Sequence, residues 1–443
     1  MSAKCNLNIL TATASDIRRL LESKDTTSVD LVELYLEQTE KHNHNGMKLN
    51  AIIETAPVES VLEVAKALDM ERAQTGPRSN SFEMGTTAGS LALKGLKAST
   101  DATIAVLLRK AGCVVIGKSN LSEWGNSKGI NVTSGWSAVG GQTLTPYVKG
   151  GINLNDRWMG HSPGVRAALY SIKETVGDVN MVGTQSGGAA FDSAGPLAKS
   201  VEDCADVMDI LLPGRDFQKY LKRSWHGIKI AYLDYDVWQF PDSVCEKTPA
   251  FDEQHKIAMD EAMKKAESLG AKVAFNAHLM SIPDITHTYN TVTQGQIGRH
   301  QLRWVIERFL SLFNEPTMRT LKDLVEFNKN HAAKELPPDS EYDEGLKHLR
   351  KSTRDAVEKC LERADADVIM ASGESLMTTI AANAGYPIAS VPLGFSSYNG
   401  RPFGMEIMAR NGEEGKIFEV MSAWEATFPE GRIPPPQLVE WEY

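Results

Sequence analysis

Gly135-Trp136-Ser137-Ala138-Val139-Gly140-Gly141-Gln142-Thr143 opens the stretch on which the reading of this chain turns, Gly160-His161-Ser162-Pro163-Gly164 marks its middle, and Asp192-Ser193-Ala194-Gly195-Pro196 closes it. Glycine and proline punctuate all three blocks, as turns and strand ends require. Outward from them, helices alternate with short apolar runs. Upstream, Asp101 followed by Ile104, Leu107 and Leu108 predicts a capped helix ending at Gly112, with Cys113-Val114-Val115-Ile116 as a buried β-branched strand. A helix passing through glycine into an apolar strand is the αβ half of a wound sheet. Downstream, Ser200-Val201-Glu202-Asp203 has the spacing of a capping box before the helix of Val207, Ile210 and Leu211. Strands are expected at 228–233, at Lys272-Val273-Ala274-Phe275 after a helix over 252–269, and at Asp367-Val368-Ile369-Met370. The fold class is α/β.

Nearer the N-terminus, residues 13–44 read as two helices. Ser15 or Asp16 is expected to cap the first, and Thr27 with Asp30 the second, whose Leu31, Leu34 and Tyr35 share a face. His42 and His44 read as a solvated helix end. A third helix over 58–74, with Val61, Leu62, Ala65 and Leu68 on one face, stops at Gly76-Pro77. Residues 293–350 are more helical and more charged, a layer over the sheet. The tail Ile433-Pro434-Pro435-Pro436 reads as an extended strap.

Composition excludes several classes. The 443 residues are 42% hydrophobic and 23% charged, ordinary for a globular chain able to bury a large core. A formal net charge of −10 without a cluster of Lys and Arg argues against a nucleic-acid partner. The five cysteines, Cys5, Cys113, Cys204, Cys245 and Cys360, are too scattered for a zinc site or a disulfide framework and read as reduced, mostly buried thiols. The first ten residues lack the apolar core of a signal peptide, and no run of about 18 apolar residues occurs, so a cytoplasmic protein without a membrane partner is expected.

Several blocks resemble the amidase signature family, whose members hydrolyse carboxamides on a mixed α/β sheet wrapped in helices. They are Gly85-Thr86-Thr87-Ala88-Gly89-Ser90, Ala111-Gly112 through Ile116-Gly117-Lys118-Ser119-Asn120-Leu121-Ser122-Glu123-Trp124, Gly135-Trp136-Ser137 with Gly140-Gly141-Gln142, Asp192-Ser193-Ala194-Gly195-Pro196, and Gly385-Tyr386-Pro387-Ile388 to Pro392-Leu393-Gly394. These blocks follow the family's order and span most of the chain; Pro402-Phe403-Gly404 fits as well, and the whole looks most like fungal members. The resemblance implies a mixed β-sheet core covered by helices in one domain, 1–443. Its parts would be N-terminal helices (1–76), a truncated signature core (77–235), a helical cap or layer (236–365) and a C-terminal core and tail (366–443).

The resemblance also implies a lysine, a serine in a cis peptide and a serine nucleophile, and here the chain departs from the pattern. The lysine belongs to a Gly-x-Pro-x-x-x-Lys-Asp motif, yet Gly76-Pro77-Arg78-Ser79-Asn80-Ser81-Phe82-Glu83-Met84 holds no lysine. Both serines belong to a segment that should follow Pro-Gly. Here Ser162-Pro163-Gly164 runs straight into Val165-Arg166-Ala167-Ala168-Leu169-Tyr170, which resembles the sequence beyond that segment. No residue takes the catalytic roles, part of the core is expected to be deleted, and the central sheet should lose one or more strands.

Two minor candidates remain for a nucleophile. Gly160-His161-Ser162-Pro163-Gly164 matches the Gly-x-Ser-x-Gly elbow, but Pro163 has no N–H for the oxyanion and Asn155-Asp156-Arg157-Trp158 is no apolar strand, which tells against Ser162. Thr184-Gln185-Ser186-Gly187-Gly188 could turn its amides toward an anion with Ser186 as nucleophile, or be simply a turn. Lys94 and Lys118 lie outside the lysine motif. Gly140, Gly141, Gln142 and Asp192 are expected either to line the surviving pocket, because the family places their blocks near its cleft, or to hold turns and strand ends. Neither HExxH nor a Cys/His cluster occurs, so no metal and no cofactor are expected. The functional expectation is a degenerate amidase homologue with a small-molecule amide or related ligand. The alternatives are an active amidase whose segments are lost only in this gene model or splice form, and a repurposed enzyme or binding protein of natural-product metabolism.

Overall fold

The computed structural model describes residues 7–73, 84–127, 134–148, 163–240, 249–289, 293–313, 319–323, 339–397, 399–431 and 433–436. In chain order the helices are α1 (Ala14–Glu22), α2 (Ser28–His42), α3 (Val58–Ala73), α4 (Thr103–Lys110), α5 (Pro163–Arg166), α6 (Val201–Leu211), α7 (Pro249–Ser268), α8 (Ile282–Tyr289), α9 (Gln294–Leu310), α10 (Asp339–Ala364), α11 (Met377–Ala384) and α12 (Glu414–Thr427). The strands are β1 (Ile52–Thr55), β2 (Gly117–Ser119), β3 (Trp136–Ser137), β4 (Gly141–Gln142), β5 (Tyr170–Lys173), β6 (Leu197–Ala198), β7 (Lys229–Leu233), β8 (Lys272–Ala277), β9 (Val368–Ser372), β10 (Ile388–Phe395) and β11 (Pro402–Met408).

A seven-stranded mixed sheet in the order β6-β5-β10-β11-β9-β7-β8 carries the core. The first five strands pair antiparallel, and β7 lies parallel to both β9 and β8. Strand periodicity sorts side chains onto two covered faces. Ile230 and Tyr232 pack with Met208 of α6, Met259 of α7 and Trp424 of α12, while Ala231 and Leu233 pack with Val357 of α10 and Ile380 of α11. Cover on both sides explains why β9, Val-Ile-Met-Ala-Ser, is buried at every position instead of alternating.

Local chemistry sets the helix ends. Thr27 and Asp30 form the expected box at α2, with Thr27 Oγ1 accepting from the Asp30 amide at 3.0 Å and Asp30 Oδ2 accepting from the Thr27 amide at 3.1 Å. The first helix is capped by Thr13, not by Ser15 or Asp16, and Asp16 completes that box from the third helical position. Asp203 does not close the box expected within 200–203. Its amide donates to Ser200 Oγ, but its carboxylate accepts the Ala14 and Ser15 amides of α1 at 2.9 and 3.2 Å, so one acid ties two helices together.

Three local expectations are corrected. Asp101 does not cap α4, which starts after Ala102 without a side-chain cap; Asp101 pairs instead with Arg109. Residues 113–116 are not a strand of a wound sheet. Val114, Val115 and Ile116 pack half-buried beside Val32 and Val61 of α2 and α3, and the strand proper is β2, antiparallel to β1 in a separate two-stranded sheet. An apolar run signals burial but not which neighbour supplies it. His42 is 2% exposed rather than solvated. Its carbonyl accepts from the Leu49 amide at 2.9 Å as the chain turns back, folding the helix end inward.

Candidate functional site

The loop between β5 and β6 is organised by one carboxylate. Asp192 Oδ2 accepts from Ser186 Oγ at 2.7 Å, from the Gly187 amide at 2.7 Å and from the Gly188 amide at 3.0 Å, and Ser186 Oγ accepts a second bond from Gly188 at 3.2 Å. The successive amides of Gly187 and Gly188 converge on one oxygen, so the chain's own side chain occupies them. The arrangement therefore has a hydroxyl but not the rest of a nucleophilic site. A carboxylate is a far weaker base than an imidazole or a neutral amine toward a serine proton, no lysine or histidine of the described chain hydrogen-bonds Ser186, and the amides that could stabilise an oxyanion are occupied.

Near this loop, the end of β5 carries a half-buried lysine followed by a buried glutamate, both of which sequence reading passed over. Burial pushes the Lys173 ammonium down to about 8 against the attraction of Glu174, Asp192 and Glu414. Burial, reinforced by the charge of Glu414, pushes Glu174 up to about 8 against the attraction of Lys173. Glu174 is fully buried, and neither of its carboxylate oxygens accepts a hydrogen bond from another residue. Its neighbour Glu414 is better provided, accepting from Thr175 Oγ1 at 2.6 Å and pairing with Arg215 at 3.2 Å.

The sign of the resulting pH effect follows from linkage. Glu174 binds its proton more tightly folded than unfolded, so its contribution falls as pH rises from the ordinary value of 4.5 to about 8. Lys173 acts in the opposite sense between about 8 and 10.5. Glu174→Gln keeps the shape of the protonated acid and cannot ionise. Urea unfolding should therefore show the variant gaining on the parent by roughly 1–3 kcal/mol between pH 5 and pH 8. A difference that stays constant with pH would show that Glu174 ionises at no cost.

Gly140, Gly141 and Gln142 belong to a hairpin, β3 paired with β4. Asn120 organises it, accepting from Ser137 Oγ at 2.7 Å and donating to the Gly141 carbonyl at 2.9 Å and Thr143 Oγ1 at 3.0 Å. A Cβ on Gly140 would stand 2.4 Å from Asn120 Oδ1, so this glycine is required by the close approach. Gln142 Nε2 donates to the Ser134 carbonyl at 3.0 Å. The polar groups of these residues bind the turn itself. Lys118 is spent similarly, donating to the Gly85 carbonyl at 2.8 Å and Thr86 Oγ1 at 2.6 Å, with burial lowering its pKa.

At Gly164 and Val165 the chain packs onto the sheet. The interval 76–83 and residues 160–162, Ser162 among them, lie outside the described residues. From Pro163 onward the packing is tight. Ser171 Oγ and Ser390 Oγ, cross-strand neighbours on β5 and β10, share a 2.7 Å hydrogen bond, and a Cβ on Gly164 would lie 2.6 and 2.4 Å from them. Val165 and Ala168 are fully buried. Arg166 Nη2 donates to Glu374 Oε2 at 2.7 Å and Nε to Oε1 at 3.3 Å, and Arg401 stands 3.5 Å from Oε1. Burial alone would raise the Glu374 pKa, but the charges of Arg166 and Arg401, with the Arg166 hydrogen bond, hold it well below the carboxylate range. The signal for this group in the sequence is faint: a glutamate two residues beyond an uninterrupted apolar strand.

Ser186 and Asp192 do share a cavity. About 290 Å3 opens between the 181–192 loop and the C-terminal half of α9, with Trp304, Val305, Arg308 and Phe309 on the helical wall. Gly140, Gly141 and Gln142 are not among its lining residues. A second depression of about 540 Å3 lies over α7 and the end of β10, beside Gln254, Lys265 and Phe395.

Comparison with known proteins agrees with this architecture. The family model for amidases matches residues 30–152. A probable amidase of Arabidopsis thaliana is 26% identical over 473 aligned positions, covering 94% of this chain and 90% of the relative. A putative amidase of Schizosaccharomyces pombe is 25% identical over 518 positions, covering 95% and 86%. Among solved structures, the native peptide amidase of Stenotrophomonas maltophilia superposes with a TM-score of 0.79 at 25% identity, covering 96% of this chain and 98% of that one. With the mixed sheet, the ordered blocks and relatives matched over most of their length, the chain is a homologue of amidases and shares the fold of the peptide amidase.

Proposed function

We propose that this chain is an amidase homologue that has lost the family's lysine–serine–serine hydrolysis and keeps a small-molecule site in the cavity between the 181–192 loop and α9. The observation that carries the reading is the wiring of Asp192. Ser186, the serine best placed to replace the lost nucleophile, is tied to a carboxylate, and the two adjacent amides are tied to the same oxygen. Further support comes from the junction, where Gly164 sits directly on the Ser171–Ser390 pair. The alignments to both relatives also run longer than the 443 residues of this chain, so those proteins carry stretches without a counterpart here.

The test is hydrolysis of a panel of primary amides and aryl amides by the purified chain. The expected result is release of ammonia or arylamine at the rate of the buffer blank. Turnover that disappears in Ser186→Ala would overturn the reading and make that loop catalytic.

Clean family blocks on both sides of each junction favour one further reading, an active amidase whose transcript encodes more than this sequence. Sequencing the transcript across the codons of Ser79-Asn80 and Gly164-Val165 separates the two. In-frame coding for the lysine and serine segments would establish the active form; a continuous transcript without them supports loss.

A further inference from the structure

Trp304 and Arg308 stand one turn apart on α9, with the Arg308 guanidinium carbon 5.3 Å from the Trp304 ring centroid. Trp304 is 51% exposed at the cavity, and Val182 on the facing loop is 49% exposed, an unusual amount of apolar surface to leave in water at one mouth. On the same helix Arg303 is paired with Glu307 at 3.1 Å. Arg308 has no ion pair and no side-chain hydrogen bond among the described residues, so its donors are available while the ring beneath it restrains its position. Val305, Phe309 and Leu312 make the helical wall apolar. Across the cavity, Asp192 Oδ2 is filled by three donors, and no donor among the described residues reaches Oδ1.

These features select a ligand by chemistry. A free guanidinium calls for a carboxylate, an apolar wall with an exposed indole calls for a hydrophobic body, and an open carboxylate oxygen calls for an N–H. A volume of about 290 Å3 admits one residue and a short acyl group rather than a peptide. We propose that the cavity binds an N-acylated apolar amino acid, with its carboxylate on Arg308, its side chain against Trp304 and its amide N–H toward Asp192. The proposal rests on the reading of this cavity as the small-molecule site.

The experiment is calorimetric titration of N-acetyl-L-phenylalanine and of its carboxamide, N-acetyl-L-phenylalaninamide, into the full chain and into Arg308→Met and Trp304→Ala. The acid should bind the parent at least about tenfold tighter than the carboxamide, because only the acid makes the charge-assisted pair. Arg308→Met should erase that preference while leaving carboxamide binding unchanged, and Trp304→Ala should weaken both. Both substituted residues are exposed, so the fold is not at stake. Carboxamide bound as well as the acid, or acid binding indifferent to Arg308→Met, overturns this ligand class and leaves the small-molecule site standing. Failure of both compounds to bind overturns the ligand class and the site together.

Discussion

Arg166→Met is expected to destabilise the protein by about 3–5 kcal/mol at neutral pH, the usual cost of removing one partner from a buried ion pair. The Arg166 and Glu374 side chains are 9% and 1% exposed, and methionine fills the arginine's apolar volume without supplying charge. Among the described residues, Glu374 would keep Arg401, whose guanidinium is 3.5 Å away, and the weaker influence of His255. The pH dependence identifies the mechanism. In the parent, the two arginines hold the Glu374 pKa below its ordinary 4.5, so the stability this group contributes is present above that value and is lost as pH falls through the depressed one. In the variant Glu374 takes up a proton more readily, so the deficit should be largest near pH 7 and shrink toward pH 4. Denaturant unfolding at both pH values reads this directly. A deficit of equal size at both would assign it to lost packing.

Gly195→Ala should be nearly as damaging. A Cβ at this position would fall 1.8 Å from the Ile172 carbonyl oxygen and 2.9 Å from its carbon, both backbone atoms of β5. That strand is held between β6 and β10 and cannot retreat without disturbing both ladders. The expected loss is about 3 kcal/mol or more, the upper range for overpacking. Gly187→Ala is the control. The nearest atom to its added Cβ is Asp192 Oδ2 at 3.9 Å, so its stability should change by no more than about 0.5 kcal/mol. Equal melting temperatures for the two variants would show that β5 is more pliable than its pairing implies.

Gly195 also shows what is legible in a sequence of this kind. The Asp192–Pro196 block was recognisable as a family element without its reason being visible; the reason is the contact with β5, reached through a turn of the chain. Local rules transferred well where both partners are near in sequence, as at Thr27 and Asp30. They misplaced the acid at Asp203, because the α1 amides that it accepts come from 188 and 189 positions upstream. Residues 113–116 read as a buried strand of a wound sheet, but they are half-buried and the strand starts at Gly117, whose partner β1 lies more than fifty positions earlier; periodicity does not name partners. Arg166 with Glu374, 208 positions apart, left no local pattern to find.

The site divides in the same way. Ser186 and Asp192 were both singled out, yet their hydrogen bond, which decides what Ser186 can do, depends on the path of the intervening glycines. Trp304 and Arg308 lie within a stretch that read only as helical and charged, and they matter because the 181–192 loop faces them. Lys173 and Glu174 were not singled out at all. Their importance comes from burial, which no single stretch of sequence reports.

The most direct measurement of the central claim is intact-mass spectrometry of the purified chain after exposure to a fluorophosphonate, with a serine hydrolase treated in parallel. A Ser186 bound to Asp192 without a nitrogen base predicts no adduct under conditions that label the control to completion. A single stoichiometric adduct that maps to Ser186 and vanishes in Ser186→Ala would contradict the account and make the 184–188 loop nucleophilic.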